Sequence, residues 1–465
     1  MTNGGQQGWP GYQPESGGQQ GWQQQPPTQQ GWQQQPPTQQ GGPAGYSPGT
    51  PPNRKKSRTP VIATAVAVVV ALLAGTAVWF FAFRGTAETA GGQTTPAAAA
   101  SALFSAVGNN DLLGAAAQLD PVEAHLFADM TGDILTELKR LGVVKADVKP
   151  DSVTGVTITT KDLAYAAAPQ QINDHISIVN LTGGTITATF SGSLPFSDKI
   201  NEAFPDLKDS VHPSTSTVDI ANEVAKLGHP IRIATVKRDG KWYPSLFYTI
   251  ADNWAYSEKG GDYTLSPIAP RGSATPQDAM NTFLDMATTG SAAGVIATLS
   301  PDEMGVLQDY GSLIIGQVGT STDLGNAKIT KAEWDVTDVT GGKKVSIKDL
   351  EVTSGGDVYA VVRDPASGSL RLTLPGQGTV NINPADPDNF QSWIDQTGGS
   401  DLDPQVIDII TREFPKIIGL GVVMVQAGDG QWYVSPIRTY SDVMTSLLSG
   451  LQPADVDYLI SLAKK

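Results

Sequence analysis

The sequence predicts an α+β protein with two duplicated domains, each made of amino-terminal helices packed on a curved antiparallel sheet, after a disordered tail and one transmembrane helix. Three observations lead to this prediction. The first fifty residues are rich in Gly, Gln, Pro and Trp, an uncharged apolar run extends from Pro60 to Phe83, and the pattern Asp-Gly-x-Trp-Tyr occurs at Asp239 and at Asp429. A pattern that returns so far along the chain favours duplication of a whole domain.

Residues 1–58 are predicted to be a disordered cytoplasmic tail with a basic end. Before Arg54 the only charged side chain is Glu15, and aliphatic residues are almost absent, so the tail cannot bury enough apolar surface to offset its chain entropy. The decapeptide "QQGWQQQPPT" occurs twice in succession, from Gln19 and from Gln29. It is either a multivalent docking strip for a cytoplasmic partner or a low-complexity spacer.

Residues 59–84 are predicted to form the transmembrane helix. At about 1.5 Å per residue, the apolar run spans roughly 36 Å, which exceeds a hydrocarbon core of about 30 Å. The lipid bilayer is therefore the predicted partner of residues 60–83. Cations before the run outnumber the single Arg84 after it, which places the amino terminus in the cytoplasm and the later domains outside the cell membrane. A cleaved signal peptide is the alternative, but its apolar core would be shorter and nearer the start.

Charge and cysteine content narrow the function further. The chain has 46 acidic and 31 basic residues, and 45 acidic against 26 basic residues follow Arg84. This acidic balance argues against nucleic acid as a partner. The absence of cysteine excludes a disulfide framework, thiol catalysis and cysteine-based metal sites.

The repeat can be traced from end to end. We expect a linker at 85–94, a first domain at 95–258, a linker at 259–273, a second domain at 274–450 and a C-terminal helix at 451–465. Each domain begins with a Thr-Pro pair, which predicts a threonine N-cap and a proline in the first helical turn. The pairs are Thr95-Pro96 and Thr275-Pro276.

A second pair of signals marks a later helix in each copy. "DPVE" at Asp120 and "SPDE" at Ser300 predict capping boxes, in which Glu123 and Glu303 reach back to the start of their own helices. Apolar residues at helical spacing follow Asp120, and Gly142 is predicted to end that helix in a left-handed conformation.

Alternating residues then predict strands. The strands that contain Lys161-Asp162-Leu163 and Lys348-Asp349-Leu350 are expected to be equivalent in the two copies. Asp239-Gly240 and Asp429-Gly430 both predict tight type I′ hairpin turns. Trp242 and Trp432, which begin the returning strands, are interpreted as core packing residues.

Helices first, a sheet afterwards and a closing "DGKWYPS" or "DGQWYVSP" hairpin resemble the tandem NTF2-like (cystatin-like) domains of single-pass envelope proteins of actinobacteria. The resemblance covers residues 95–255 and 275–445. It implies a conical pocket between sheet and helices, and a family that includes small-molecule binders and a few isomerases and dehydratases. Residues 193–228 add length to the first copy and predict extra helices that could roof its pocket.

No catalytic, cofactor-binding or metal-binding residues are predicted. The four histidines, His125, His175, His212 and His229, all lie in the first copy, which excludes a duplicated histidine site. An acid–base site that uses His175 or His229 with Asp162 or Asp174 is the alternative. The acidic segments "NPADPDNF" and "GSDLDP" lack the spacing of a calcium loop and are interpreted as helix caps.

The sequence thus favours a membrane-anchored protein of the cell envelope, without catalytic activity, whose two outer domains bind a partner protein, a wall component or a small ligand. The alternative is an anchored hydrolase or isomerase with its site in the first domain only.

Overall fold

The computed structural model describes residues 91–109, 111–148, 156–190, 195–205, 213–261, 263–318 and 327–464. The predicted tail and transmembrane helix, and also His212, lie outside these residues. Among the described helices, none combines the length and the apolar character that a bilayer span requires. The described residues belong to one compact α+β unit with two antiparallel sheets.

The first copy consists of helices, then a sheet, then a closing helix. In chain order its elements are α1 (Pro96–Gly108), α2 (Leu112–Gln118), α3 (Pro121–Arg140), β1 (Val156–Tyr165), β2 (Gln170–Gln171), β3 (Ile176–Phe190), α4 (Asp198–Ala203), β4 (Ser214–Asp219), α5 (Ile220–Leu227), β5 (Ile231–Arg238), β6 (Lys241–Pro244) and α6 (Leu246–Lys259).

The second copy repeats this order with a longer sheet. Its elements are α7 (Pro276–Thr288), α8 (Ala292–Ala297), α9 (Pro301–Val318), β7 (Lys328–Val339), β8 (Gly342–Ser354), β9 (Asp357–Asp364), β10 (Ser369–Leu374), β11 (Gly378–Ile382), α10 (Pro387–Ile394), a π-helical turn (Asp395–Gly399), α11 (Pro404–Ile418), β12 (Gly421–Gln426), β13 (Trp432–Val434), α12 (Pro436–Gly450) and α13 (Pro453–Ala463).

The two sheets have the same arrangement of four strands. In the first copy the strand order is β1-β3-β5-β6, and β2 and β4 also pair with β3. In the second copy the order is β11-β10-β9-β8-β12-β13, and β7 also pairs with β8. By these pairings β7, β8, β12 and β13 are the counterparts of β1, β3, β5 and β6. The extra strands β10 and β11 extend the second sheet beyond β9, the counterpart of β4.

Local capping signals in the sequence are confirmed at the first helix of each copy. Thr95 Oγ1 accepts the backbone N–H of Ala98 at 3.2 Å, and Thr275 Oγ1 accepts that of Asp278 at 3.1 Å. Gly142 has φ of 66°, the left-handed conformation predicted after α3. These contacts involve residues close together in the chain, which is why the sequence alone predicts them.

The first hairpin is confirmed and the second is not. Asp239 and Gly240 have φ of 48° and 80°, as a two-residue type I′ turn requires. In the second copy β12 ends at Gln426 and β13 begins at Trp432, so Asp429-Gly430 lies in a longer loop. There Tyr433 donates its hydroxyl to Asp429 Oδ2 at 2.7 Å, which fixes this loop instead.

The proposed match between the two Lys-Asp-Leu segments is wrong. Lys161-Asp162-Leu163 lies in β1, whereas Lys348-Asp349-Leu350 lies in β8, the counterpart of β3. The two segments share the same residues but are not equivalent, because positions 161 and 348 lie in non-equivalent strands. Within 193–228 the prediction of extra helices is confirmed for α4 alone, because β4 and α5 correspond to β9 and α11 of the second copy.

Apolar side chains fill the space between the helices and the sheet of the second copy, where the family resemblance implies a pocket. A buried cluster there joins α7, α9, β8, β12 and β13. Its buried members are Ala279, Met280, Leu299, Met304, Val345, Met424 and Val434. Trp432 packs against this cluster and Trp242 is 8% exposed, consistent with their interpretation as packing residues.

Candidate functional site at the junction of the two copies

Two equivalent pairs of helices meet where the two copies join. Helix α3 of the first copy packs on α12 of the second, and helix α9 of the second copy packs on α6 of the first. The junction therefore has two equivalent halves. We call the α6–α9 contact the closed half and the α3–α12 contact the open half.

Two sequence landmarks define which residues of the halves are equivalent. Helices α3 and α9 follow the matching "DPVE" and "SPDE" motifs, so Asp120 is aligned with Ser300. Helices α6 and α12 follow the closing Trp-Tyr strands, so Trp242 is aligned with Trp432. Equivalent positions stand at the same number of residues from these two landmarks in the two copies.

In the closed half, Asp252 is fully buried and its oxygens are occupied. Arg232 donates to it from Nε at 2.6 Å and from Nη2 at 3.1 Å. Tyr263 also donates its hydroxyl to Asp252 Oδ1, and Tyr310, from the second copy, does so at 3.4 Å. Burial raises the pKa of Tyr263 to about 12, so this hydroxyl remains a donor at neutral pH.

A second carboxylate of the closed half links the two copies directly. Asp309 of α9 accepts the hydroxyl of Tyr248 at 2.6 Å and lies 3.0 Å from His175 Nε2. The other ring nitrogen of His175, Nδ1, lies 2.7 Å from Asp174. Hydrogen bonding to Asp309, assisted by Asp174, raises the pKa of His175 and favours its charged form.

The open half uses an arginine where the closed half uses a tyrosine. Arg438 stands at the position equivalent to Tyr248, and Asp129 at the position equivalent to Asp309. Arg438 donates from Nη1 to Asp129 Oδ2 at 2.6 Å and from Nε to Glu303 Oε1 at 2.8 Å. One guanidinium therefore joins the two copies and also compensates a buried carboxylate of its own copy.

A cavity of about 190 Å³ lies in the open half. Its walls come from α3, from α12 and from the end of β7 with the residue that follows it. The lining residues are Leu126, Asp129, Met130, Asp133, Val339, Thr340, Ile437, Arg438, Ser441, Asp442 and Thr445.

The cavity lies where other side chains, most of them polar, replace the packed residues of the closed half. Met130 stands in the place of Tyr310, which is fully buried in the closed half. Three further polar residues replace apolar ones that pack in the closed half. Asp133, Ser441 and Thr445 stand at the positions of Leu313, Ala251 and Ala255.

Two polar atoms on the cavity wall lack the hydrogen bonds that their location requires. Asp442, the counterpart of Asp252, receives one hydrogen bond from Lys344 Nζ, at 3.3 Å to Oδ1. Its Oδ2 lies 3.2 Å from the same Nζ but accepts no hydrogen bond within the described part of the chain. Thr445 Oγ1 is also buried without a hydrogen bond there. Buried polar atoms are normally satisfied, so a water or a ligand group is expected to meet them.

Two buried glutamates hold the start of the closing helices, which corrects the capping boxes expected from the sequence. Glu123 reaches across its copy to α6, where it accepts the hydroxyl of Ser245 and the backbone N–H groups of Leu246 at 2.7 Å and Phe247 at 3.1 Å. Glu303 accepts the hydroxyl of Ser435 at the start of α12 in the same way. These partners lie far away along the chain, so the local motif does not reveal them.

The two glutamates differ in their compensation. Glu303 has Arg438 beside it, whereas the equivalent residue near Glu123 is the uncharged Tyr248. Burial, with repulsion from Asp120, raises the pKa of Glu123 to about 7. The first copy therefore holds a buried carboxyl group that titrates near neutral pH.

The structure brings only one of the considered acid–base pairs together. His175 contacts Asp174, but its buried partner is Asp309, which comes from the other copy. His229 Nδ1 contacts the carbonyl oxygen of Pro230 at 2.9 Å. His125 is exposed on α3, and Asp162 lies in β1 with φ of 52°. The sequence did not identify Asp309 as the partner of His175, because the two residues lie 134 positions apart and no local pattern distinguishes Asp309 from other aspartates.

The acidic segments act as helix caps, as predicted. Asp386 Oδ1 accepts the N–H of Asn389 at 3.2 Å, and Asp403 Oδ1 accepts that of Gln405 at 2.9 Å. Within the described ranges, no group of histidine and carboxylate side chains has the arrangement of a metal site.

Comparisons with protein families, with curated proteins and with solved structures gave no match for this chain. Its functional assignment therefore depends on the residues and geometry described above.

Proposed function

We propose that this protein is a membrane-anchored binding protein of the cell envelope, without catalytic activity, whose two outer domains act as one unit and hold a small ligand in the open half of their junction. The observation that carries the proposal is the difference between the two halves. The helix pair of the closed half is tightly packed, whereas the equivalent pair of the open half encloses a polar cavity.

The lining of the cavity indicates the kind of ligand. Asp129, Asp133 and Asp442 supply three carboxylates, and Arg438 is already paired with Asp129 and Glu303. Apolar walls come from two further residues, Leu126 and Ile437. A small molecule with a cationic group and an apolar part fits this combination, because the cation can pair with a carboxylate while its apolar part contacts the walls.

The remaining parts of the proposal rest on the sequence. The apolar run at 60–83 would anchor the chain in the membrane, and the basic residues before it would leave the tail on the cytoplasmic side. The tail repeats would provide a site for a cytoplasmic partner. We also propose that each copy is an NTF2-like domain, a proposal supported by the order of its helices and strands.

Native mass spectrometry of the full chain, extracted in mild detergent from a cell that makes it, tests the proposed binding. We expect a reproducible extra mass on the wild-type protein. Replacement Asp133→Leu should remove that mass, because it introduces the residue of the closed half and takes away one carboxylate. A matched control is Asp147→Leu, which makes the same change at an exposed position outside the cavity.

The outcome decides between binding in the cavity and binding elsewhere. Retention of the extra mass by Asp133→Leu, or its equal loss from Asp147→Leu, would contradict the proposed location. A bare wild-type protein would contradict small-ligand binding, and crosslinking in intact cells would then test a protein partner instead.

A second candidate is an anchored enzyme that uses His175, favoured by its contact with two carboxylates and by the tyrosine that shares one of them. The geometry supports a structural role more strongly, since both ring nitrogens of His175 already contact carboxylates. Substrate turnover by the full chain that is lost in His175→Ala or His229→Ala would favour the enzyme.

A further inference from the structure

A second cavity of about 300 Å³ lies in the second copy, farther along α12 towards its carboxyl end than the cavity of the open half. It opens between β7 and β8 on one side and the ends of α11 and α12 on the other. The lining residues are Asp335, Thr337, Lys344, Ser346, Arg363, Pro415, Lys416, Gly419, Ser446 and Ser449. We call it the cationic cleft, because three of its side chains carry positive charge.

The equivalent place in the first copy is filled by aromatic side chains. His229 and Tyr256 pack against each other there with ring centroids 4.6 Å apart, and the guanidinium of Arg232 lies 4.4 Å from the centre of the Tyr256 ring. When the copies are aligned on their closing Trp-Tyr strands, Gly419 replaces His229 and Ser446 replaces Tyr256. The second copy therefore lacks two rings at this place, and the cleft occupies the volume that they fill in the first copy.

The cations of the cleft are held in place by neighbours on its walls. Arg363 is 10% exposed, donates from Nη2 to Asp335 at 2.5 Å and from Nε to the carbonyl oxygen of Ile347 at 2.8 Å. Lys344 is paired with Asp442, which belongs to the other cavity. The guanidinium and this ammonium are thus fixed before any ligand arrives.

Lys416 is the cation best placed to meet a ligand. Its Nζ donates to Ser449 Oγ at 2.8 Å and forms no ion pair among the described residues. The nearby Glu413 lies on the side of α11 that faces Gly450, where a Cβ would stand 1.8 Å from its Oε1. An ammonium that faces a hydroxyl can accept an anion without giving up an ion pair.

We propose that the cationic cleft binds a small anion that carries a ring, with its carboxylate or phosphate group at Lys416 and Arg363 and its ring in the volume that His229 and Tyr256 fill in the first copy. Further polar contacts around the ring come from the hydroxyls of Ser346, Ser446 and Thr337. In a chain with a net charge of −15, Lys416 is the cation of the cleft that pairs with no carboxylate among the described residues, so its charge would draw an anion that the rest of the surface repels.

Isothermal titration calorimetry of the full chain in mild detergent tests this site with four probes: benzoate, D-glucuronate, inorganic phosphate and uncharged D-glucose. We expect benzoate or glucuronate to bind more tightly than phosphate, and glucose not to bind. Added salt should weaken binding of the anions, because the contact is between charges. Replacement Lys416→Gln should weaken it roughly tenfold, as expected for the loss of a hydrogen bond to a charged group.

Two further variants separate the cleft from general attraction of anions. Ser446→Tyr restores one ring of the first copy and should abolish binding by filling the cleft. Lys348→Gln removes an exposed lysine of the same strand as Lys344, β8, outside the cleft, and should change affinity less than about twofold. Thermal unfolding of each variant checks that it is folded.

The proposal is overturned if none of the anions binds to the wild-type protein, or if Lys416→Gln and Lys348→Gln weaken binding equally. Equal binding of phosphate and the ring anions would overturn the part that concerns the ring. Binding that survives in Ser446→Tyr would place the anion elsewhere on the surface.

Discussion

The closed and open halves of the junction are built from equivalent pairs of helices, α6 with α9 and α12 with α3, yet one half is a packed core and the other encloses a cavity. In the closed half, Asp252 has Arg232 and two tyrosines around it. In the open half the equivalent Asp442 has only Lys344, and its Oδ2 accepts no hydrogen bond from a described residue. Equivalent helices thus make the same contact twice, and the side chains between them decide whether it is filled.

This difference indicates that the closed half contributes mainly to stability and that the open half is suited to binding. A carboxylate whose oxygens are all paired with protein groups contributes to holding the copies together, whereas one with an unsatisfied oxygen on a cavity wall is available to a ligand. The same division appears farther along α12, where Gly419 and Ser446 replace a packed pair of rings. In both places the packed arrangement lies beside α6 and the cavity lies beside α12.

The largest expected effect is at the buried aspartate of the closed half. Asp252→Asn should lower the free energy of unfolding by about 3–5 kcal/mol, because it leaves the charge of Arg232 uncompensated in the interior. Asp442→Asn is the matched change in the open half and should cost about 1 kcal/mol, since its partner Lys344 is more exposed. Urea unfolding of the full chain measures both values. Equal losses would show that the two halves do not differ in this way.

The second prediction concerns pH and the uncompensated Glu123. Its pKa of about 7 in the folded protein lies above the ordinary value of 4.5, so its stabilising contribution is present below pH 4.5 and is lost as the pH rises through about 7. The free energy of unfolding should fall by up to about 3 kcal/mol over this range. Glu123→Gln should flatten this dependence. A wild-type stability that is level from about pH 5 to about pH 7.5 would argue against the assigned pKa.

Third, the arginine of the open half should matter more than the equivalent tyrosine of the closed half. Arg438→Met removes contacts with Asp129 and Glu303 and leaves the buried Glu303 without its cation, at a cost of about 2–3 kcal/mol. Tyr248→Phe removes one hydroxyl contact with Asp309, at a cost of about 1–2 kcal/mol. Thermal and urea unfolding give the comparison, and a larger loss in Tyr248→Phe would reverse the interpretation.

The smallest effect is expected at His175, whose side chain is 42% exposed. His175→Gln should cost less than about 1 kcal/mol, because solvent screens an ion pair near the surface. Since the pKa of His175 is raised in the folded protein, the loss should be greatest at acidic pH and should vanish as the pH rises through that pKa. The exposed His125→Gln is the control and should change the free energy of unfolding by no more than about 0.5 kcal/mol. A loss that grows with pH would contradict the pairing with Asp309.

Much of the fold follows from local sequence signals. The helix starts at Thr95 and Thr275, the turn at Asp239-Gly240 and the caps at Asp386 and Asp403 all depend on residues a few positions apart. Their side chains and backbone groups meet whatever the rest of the chain does. The α+β class, with helices before the sheet in each copy, was predictable for the same reason, whereas the closing helices α6 and α12 were not predicted.

The sequence did not reveal which distant groups would meet. Glu123 and Glu303 look like members of capping boxes, but each binds the start of a helix much later in the chain. The Lys-Asp-Leu segments look equivalent but lie in different strands. Both errors come from assigning a local meaning to residues whose partners are set by the packing of helices on a sheet.

The sequence by itself determined that the same domain occurs twice, because the Thr-Pro helix starts and the Asp-Gly-x-Trp-Tyr pattern that mark each copy are short-range features. Only the tertiary structure decided that the two copies face each other through equivalent helices. It placed Tyr310 beside Asp252 and left Met130 near Asp442, so that one half is filled and the other encloses a cavity. The physical reason is that space at the junction is filled only when side chains from distant parts of the chain have complementary volumes. No local pattern along the chain shows which side chains will meet.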